Sequence, residues 1–403
     1  MVGKSFFNNS STFHRVNMVL IGGILGLMVA MGIGRFAYTP ILPLMQRDLG
    51  MSNTLAGWLA GLNYLGYLAG AVLCSIVPRI LGVRLFTGSA LILCIFTTAF
   101  MGLTLSAFWW GGLRLVNGIT SAILFVLISA EVGDVLRRHG LAHRIGVLYS
   151  GVGLGIALTG VLIPMLDRYW SWSGAWIGAG IVAALLAGTG AILGHQKGSL
   201  PPITADNTPV SKKRSSVYPL ALAYFFEGLG YVVSATFIVA LIAATPGLVH
   251  LAPWSWVAVG LAAVPSTLIW PWLARRYSPR TAMMAAYALQ AGGILVSAFS
   301  TSIIGLLFAA ASFGGTFMGI VAMTLAEGQR RMPADSRWIA AFLTAAFGIG
   351  QVLGPVAAGY LADLRDGFTL PLLLATLCVV ISLIVTATDP QFTGSQNPLQ
   401  KGK

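Results

Sequence analysis

The sequence predicts an all-α polytopic membrane protein of twelve transmembrane helices in two six-helix bundles, and three observations carry that prediction. Hydrophobic residues make up 57% of the chain and charged residues 9%, against about 25% charged in soluble domains, too little polar surface for a water-soluble fold. Apolar stretches of roughly 20 residues, enough to cross a hydrocarbon core about 30 Å thick, recur along nearly the whole chain. The first half also matches the second at one constant offset.

The spans fall at 18–45, 54–77, 85–105, 108–131, 144–166, 172–194, 218–244, 251–273, 281–300, 302–325, 338–362 and 367–388. Lys4 and Arg15 precede the first apolar run as in a signal peptide. However, the run from Met18 is long for a signal core and lacks a small-residue cleavage site, so it counts as span 1. The net charge of +13 invites a nucleic-acid reading, but Lys and Arg sit in short clusters between apolar stretches. With the N-terminus inside, the outer segments hold only Arg47, Arg168 and Arg365. That asymmetry predicts cytoplasmic termini in a bacterial-type inner membrane and no nucleic-acid partner. Cys74, Cys94 and Cys378 lie inside spans without disulfide or metal-ligand spacing, and neither metal nor cofactor is expected.

The polar stretch from His195 to Ser216, rich in Pro and ending in Lys212-Lys213-Arg214, suits a cytoplasmic linker. It divides the chain into an N-terminal bundle over 1–195, a linker over 196–216 and a C-terminal bundle over 217–403. Gly32, Gly34, Trp58, Arg79, Arg84, Gly118, Glu131 and Asp167 map, 196 residues on, to Gly228, Gly230, Trp254, Arg275, Arg280, Gly314, Glu327 and Asp363. Apolar composition aligns leucines by chance, but not charged residues at loop positions, so a duplicated six-helix unit is the economical explanation.

Loop 2–3, Pro78-Arg79-Ile80-Leu81-Gly82-Val83-Arg84, and loop 8–9, Ala274-Arg275-Arg276-Tyr277-Ser278-Pro279-Arg280, resemble the basic loop motif of the major facilitator superfamily without its Asp. Arg114-Leu115-Val116-Asn117-Gly118 in span 4 is similar to the membrane-embedded Arg motif of proton-coupled members. Gly151-Val152-Gly153-Leu154-Gly155 and Gly348-Ile349-Gly350-Gln351-Val352-Leu353-Gly354-Pro355 resemble the Gly-rich antiporter motif, with Ile156 where its Pro would stand in span 5. Gly32-Ile33-Gly34-Arg35-Phe36-Ala37-Tyr38 and Glu227-Gly228-Leu229-Gly230-Tyr231 resemble the YbfB/YjiJ-like group of that superfamily over essentially the whole chain. The resemblance implies the superfamily fold, with spans 1, 4, 7 and 10 around a central cavity.

An ionisable residue near the bilayer centre costs about 2.5–3.5 kcal/mol on insertion scales, which makes it a functional candidate. Arg35, Arg114 and Glu227 qualify. In the implied fold all three would converge on the cavity. Glu227 is read as a proton carrier, since burial favours its neutral form and a nearby guanidinium its charged one; the alternative is a static contact pinning span 7. Arg35 and Arg114 present forks suited to carboxylate or phosphate, although Arg114 could instead bond backbone carbonyls or Glu227. Tyr38 and Tyr231 share helix faces with these charges and, with Gln351, are candidate substrate contacts. Glu131 and Glu327 are expected to latch the inner face by pairing with Arg79, Arg84, Arg275 or Arg280, with Gly354 and Pro355 as gating positions in span 11.

These residues describe a secondary active transporter of a small anionic or zwitterionic solute, working by alternating access. It is expected to be monomeric, proton-coupled and an exporter by antiport; uptake by symport and a transporter-fold sensor are the alternatives. No nucleophile, His-Glu-x-x-His pattern or Walker loop points to an enzyme.

Overall fold

The computed structural model describes residues 3–76, 82–194 and 215–392. Secondary structure among them is entirely helical, and eleven helices are long and apolar enough to cross a membrane. One of these, Ile145–Gly194, runs 50 residues but turns back at Ser171, where φ is 55° and ψ −168°. A Cβ on Gly178 would sit 2.6 Å from the Leu166 side chain, whereas a continuous helix would hold those residues about 18 Å apart. The element is a hairpin, labelled spans 5 and 6, so among the described residues the helical rods long enough to cross come to twelve when its two arms are counted separately.

Span 1 is interrupted: Gly3–Leu27 is α-helical, Met28–Arg35 π-helical, and Tyr38–Leu49 α-helical again. The Phe36 N–H donates to the Met31 carbonyl at 2.9 Å, an i→i−5 bond. Such wide turns are rare and concentrate at functional sites; here the turn ends on Arg35. Gly50, at φ 65°, closes the helix in the left-handed conformation glycine tolerates. Downstream, Ser278 and Ser302 accept bonds from Thr281 N at 3.0 Å and Gly305 N at 3.2 Å, fixing the starts of spans 9 and 10.

The remaining spans are 2 (Asn53–Ile76), 3 (Val83–Phe100), 4 (Ala107–Arg138), 7 (Tyr218–Ala244), 8 (Ala252–Arg276), 9 (Pro279–Phe299), 10 (Ile303–Arg331), 11 (Ser336–Leu364) and 12 (Thr369–Thr388). Packing runs within the first six crossings and within the last six, and the two groups meet along a seam where spans 2 and 5 lie against 11 and 8. Tyr38–Leu49 also crosses to span 7, where Thr39 Oγ1 donates to the Ala235 carbonyl at 2.6 Å. Among the described residues, spans 4 and 10 barely touch.

The glycine motifs sit where backbones meet. A Cβ on Gly153 would come within 2.6 Å of the Gly260 carbonyl across the seam, and one on Gly32 would collide with the Gly155 backbone. Gly32→Leu is therefore expected to lower the melting temperature through an overpacking cost of about 1–3 kcal/mol. Gly112→Leu, at a position with nothing within 4 Å of a built Cβ, is the control and should leave melting unchanged.

Candidate functional site

The π-helical turn places Arg35 in the middle of the first six-helix group, 4% exposed, and Arg114 of span 4 beside it is 3% exposed. The Arg35 Cζ lies 4.1 Å from the ring centre of Tyr67 and 4.5 Å from that of Tyr64, and the Arg114 Cζ lies 4.6 Å from Tyr38. Arg114 Nη2 reaches the Arg35 carbonyl at 3.4 Å. The expected meeting of the two arginines is thus observed, and aromatic faces stabilise each cation. Asn63 holds span 4 in place by donating to the Arg114 carbonyl at 2.9 Å. Asn117 donates to Thr97 and Thr98 of span 3, both at 3.1 Å.

Among the described residues, Arg35 Nε and Nη2 and Arg114 Nε and Nη1 have no hydrogen-bond partner at standard geometry, although the Tyr64 and Tyr67 hydroxyls lie close to Arg35, and no carboxylate pairs with either side chain. Buried charges are normally paired; here the two guanidinium groups lie within electrostatic reach of each other, and Arg35 keeps one whole donor edge, Nε with Nη2, unpartnered among the described residues.

Across the seam the last six crossings present aromatic rings. Tyr231 accepts a hydrogen bond from Gln351 Nε2, so two predicted contacts meet. Its ring lies nearly parallel to Phe347, at 5.3 Å and 6°, and to Phe317, at 6.2 Å and 7°. Tyr224 extends the column on Phe347 at 4.2 Å and 12°. Phe36, next to Arg35, meets Phe317 edge-on at 6.2 Å, and Tyr231 lies within electrostatic reach of Arg35. Cations and rings therefore face the same seam. Tyr64 and Tyr67 are site residues that sequence reasoning misses; their signal is two tyrosines three residues apart in an apolar span.

Glu227 departs from expectation. It is 1% exposed, yet it makes no ion pair with Arg35 or Arg114 among the described residues, so the three charges do not converge. The Gln290 amide of span 9 stands beside its carboxyl without completing hydrogen-bond geometry, and Tyr287, Tyr224 and Tyr231 also lie within its electrostatic reach. The reason is depth and direction. Glu227 lies one turn, about 6 Å, nearer the terminal face than Tyr231, and its carboxyl lies beside Gln290 and Tyr287 of span 9.

A family model described as "Uncharacterised MFS-type transporter YbfB" matches residues 27–387. The chain belongs to that family. Uncharacterized MFS-type transporters from Yersinia pestis (strain Pestoides F) and Yersinia pseudotuberculosis serotype O:3 (strain YPIII) are each 24% identical to it over 211 residues, 51% of this chain and 53% of theirs. The chain thus spans about half the length of these curated relatives in the match. Its fold is similar to that of the nucleoside transporter NupG, solved as a point mutant, with a TM-score of 0.71 at 13% identity, covering 94% of this chain and 99% of that one.

The ends of the spans in this MFS-type transporter correct a second expectation. Glu327 does not latch onto Arg275 or Arg280; it pairs with Arg330 at 2.6 Å and Arg331 at 2.7 Å, one turn along its own helix. Arg331 in turn reaches Asp389, past the end of span 12, at 2.7 Å, so the cluster ties spans 10 and 12 together. Glu131, Arg84 and Arg275 are exposed and form no ion pair among the described residues; Arg79 lies outside them. On the distal face, opposite the one where span 1 begins, Asp363 accepts bonds from Asn53 N at 3.0 Å, Asn53 Nδ2 at 2.9 Å and Thr54 N at 2.7 Å. A carboxylate of span 11 thereby caps span 2 across the seam. Gly354 packs on span 7, and a Cβ on Gly57 would collide with the Pro355 carbonyl, so of the two span 11 positions Pro355 lies at the seam with span 2.

Proposed function

We propose that the protein is a secondary active transporter that carries a small anion by alternating access, with Arg35 and Arg114 as the anion-binding pair and Glu227 as the proton carrier. The observation that carries the reading is the pair of buried guanidinium groups without an acid between them. Tyr38 and Tyr231 border the pair from either side of the seam, and Gln351 orients Tyr231. We place the chain in a bacterial inner membrane with both termini cytoplasmic, on the distribution of Lys and Arg.

The Gly-rich motif of span 11 favours export by exchange. The separation of Glu227 from the arginines favours symport instead: a proton and an anion in one low-dielectric core attract, so they load together rather than displace each other. Comparing metabolites in cells with and without the gene identifies the solute, and proteoliposomes then give the direction from the sign of the pH change accompanying its movement. Glu227→Gln is expected to abolish that pH change while leaving exchange of labelled for unlabelled solute intact. A full pH response in this variant removes Glu227 from the coupling.

A further inference from the structure

The arginine pair fixes the charge of the solute, and the opposite wall of the seam bears on its shape. We infer that the solute is an aromatic monocarboxylate, its carboxylate held by Arg35 and Arg114 and its ring lying against the column of Tyr231, Phe317 and Phe347. This rests on reading the arginine pair as the anion site.

Three observations lead there. The unpartnered guanidinium nitrogens belong to side chains no more than 4% exposed. A small anion can satisfy them, and the fork geometry suits a carboxylate. The wall facing them from spans 7, 10 and 11 is built of rings inclined by only 6° and 7° to one another. Phe36 brings one edge of that wall to within 6.2 Å, ring centre to ring centre, on the residue adjacent to Arg35. A charged head and a flat apolar body thus have adjoining places on the two surfaces that must part and close during transport, and flat rings pack there by offset stacking.

The third observation concerns what the seam withholds. The amide nitrogens are taken: Asn63 Nδ2 donates to the Arg114 carbonyl, Asn117 Nδ2 to Thr97 and Thr98, and Gln351 Nε2 to Tyr231, while Asn63 Oδ1 is a single unpartnered acceptor. A polyhydroxylated solute needs several such groups free, because a buried hydroxyl without a partner is costly. An ammonium group needs an acid or carbonyl, and the nearest buried acid, Glu227, turns toward Gln290. A sugar fits poorly, and the ammonium of an amino acid finds no carboxylate beside the arginines among the described residues.

The test is equilibrium binding to the purified full-length protein in lipid nanodiscs, with phenylacetate, acetate, phenylalanine and benzyl alcohol as probes. Phenylacetate is expected to bind at least about tenfold more tightly than the other three, the stacked ring supplying the margin over acetate. Phe317→Leu and Phe347→Leu should remove that margin while leaving acetate binding unchanged. Arg35→Leu and Arg114→Leu should abolish both, with melting curves reporting that the variants fold. Acetate binding as tightly as phenylacetate, still dependent on the arginines, would overturn the aromatic inference and leave the anion site standing. Benzyl alcohol matching phenylacetate without need of the arginines would overturn the anion site itself. Phenylalanine matching phenylacetate, or no binding by phenylacetate at millimolar concentration, would overturn the assignment of class.

Discussion

Replacing Arg35 or Arg114 by leucine is expected to abolish transport while leaving the protein at least as resistant to heat as before. The two halves of that expectation come from the same geometry. Both side chains are buried, and neither faces a carboxylate among the described residues, so in the empty protein each charge is a cost of about 2.5–3.5 kcal/mol on insertion scales. The aromatic faces of Tyr38, Tyr64 and Tyr67 return about 2 kcal/mol where the site is desolvated. Removing the cation therefore leaves no orphaned acid behind, unlike truncation of a buried ion pair, which costs about 3–5 kcal/mol. Transport is expected to differ, because in the proposed function the carried anion supplies the missing partner. Losing one buried charge-assisted contact costs about 2–5 kcal/mol in binding, a fall of about thirtyfold or more. Arg→Lys should restore little, since a point charge cannot make the fork. A melting temperature that drops while transport persists would show the arginines to be structural.

Much of this molecule is legible in its sequence, and the limits have physical causes. Hydropathy and the 196-residue offset depend on composition and order alone, so the twelve crossings and the correspondence of Gly32 with Gly228 are readable. So is the meeting of Arg35 and Arg114, because burial of a charge is rare enough to mark a site. Direction around a helix is harder. Glu227 shares a face with Tyr231 by spacing, yet one turn of depth and the proximity of span 9 take its carboxyl to Gln290 instead of to an arginine. Glu327 shows the same difficulty: the repeat points to loop arginines, while Arg330 and Arg331, three and four residues on along its own helix, are closer. The π-helical turn at Met28–Arg35 leaves no signal beyond two glycines, which apolar spans carry commonly.

The duplicated aspartates show how one sequence signal divides into two roles, and they give a second large effect. Asp167 and Asp363 are repeat mates at the distal ends of spans 5 and 11. Asp167 bonds Arg47 at 2.8 and 3.0 Å, wholly within the first six crossings, whereas Asp363 reaches across the seam to the first N–H groups of span 2. A carboxylate at a helix N-terminus satisfies donors that lack partners and meets the positive end of the helix dipole. Under the proposed alternating access the two halves separate at this face, so the contribution of this contact would exist only while the face is closed. Asp363→Ala should shift the population toward distal opening by about tenfold, a figure that allows for solvent screening at this exposed position. Asp167→Ala should not shift it. The measurement is labelling of Ala235→Cys, which lies in the seam opposite Thr39, by an impermeant maleimide applied from the distal face. Faster labelling in the Asp363 variant alone identifies the gate; equal rates in both variants would assign the closure to packing of Gly57 against Pro355 instead.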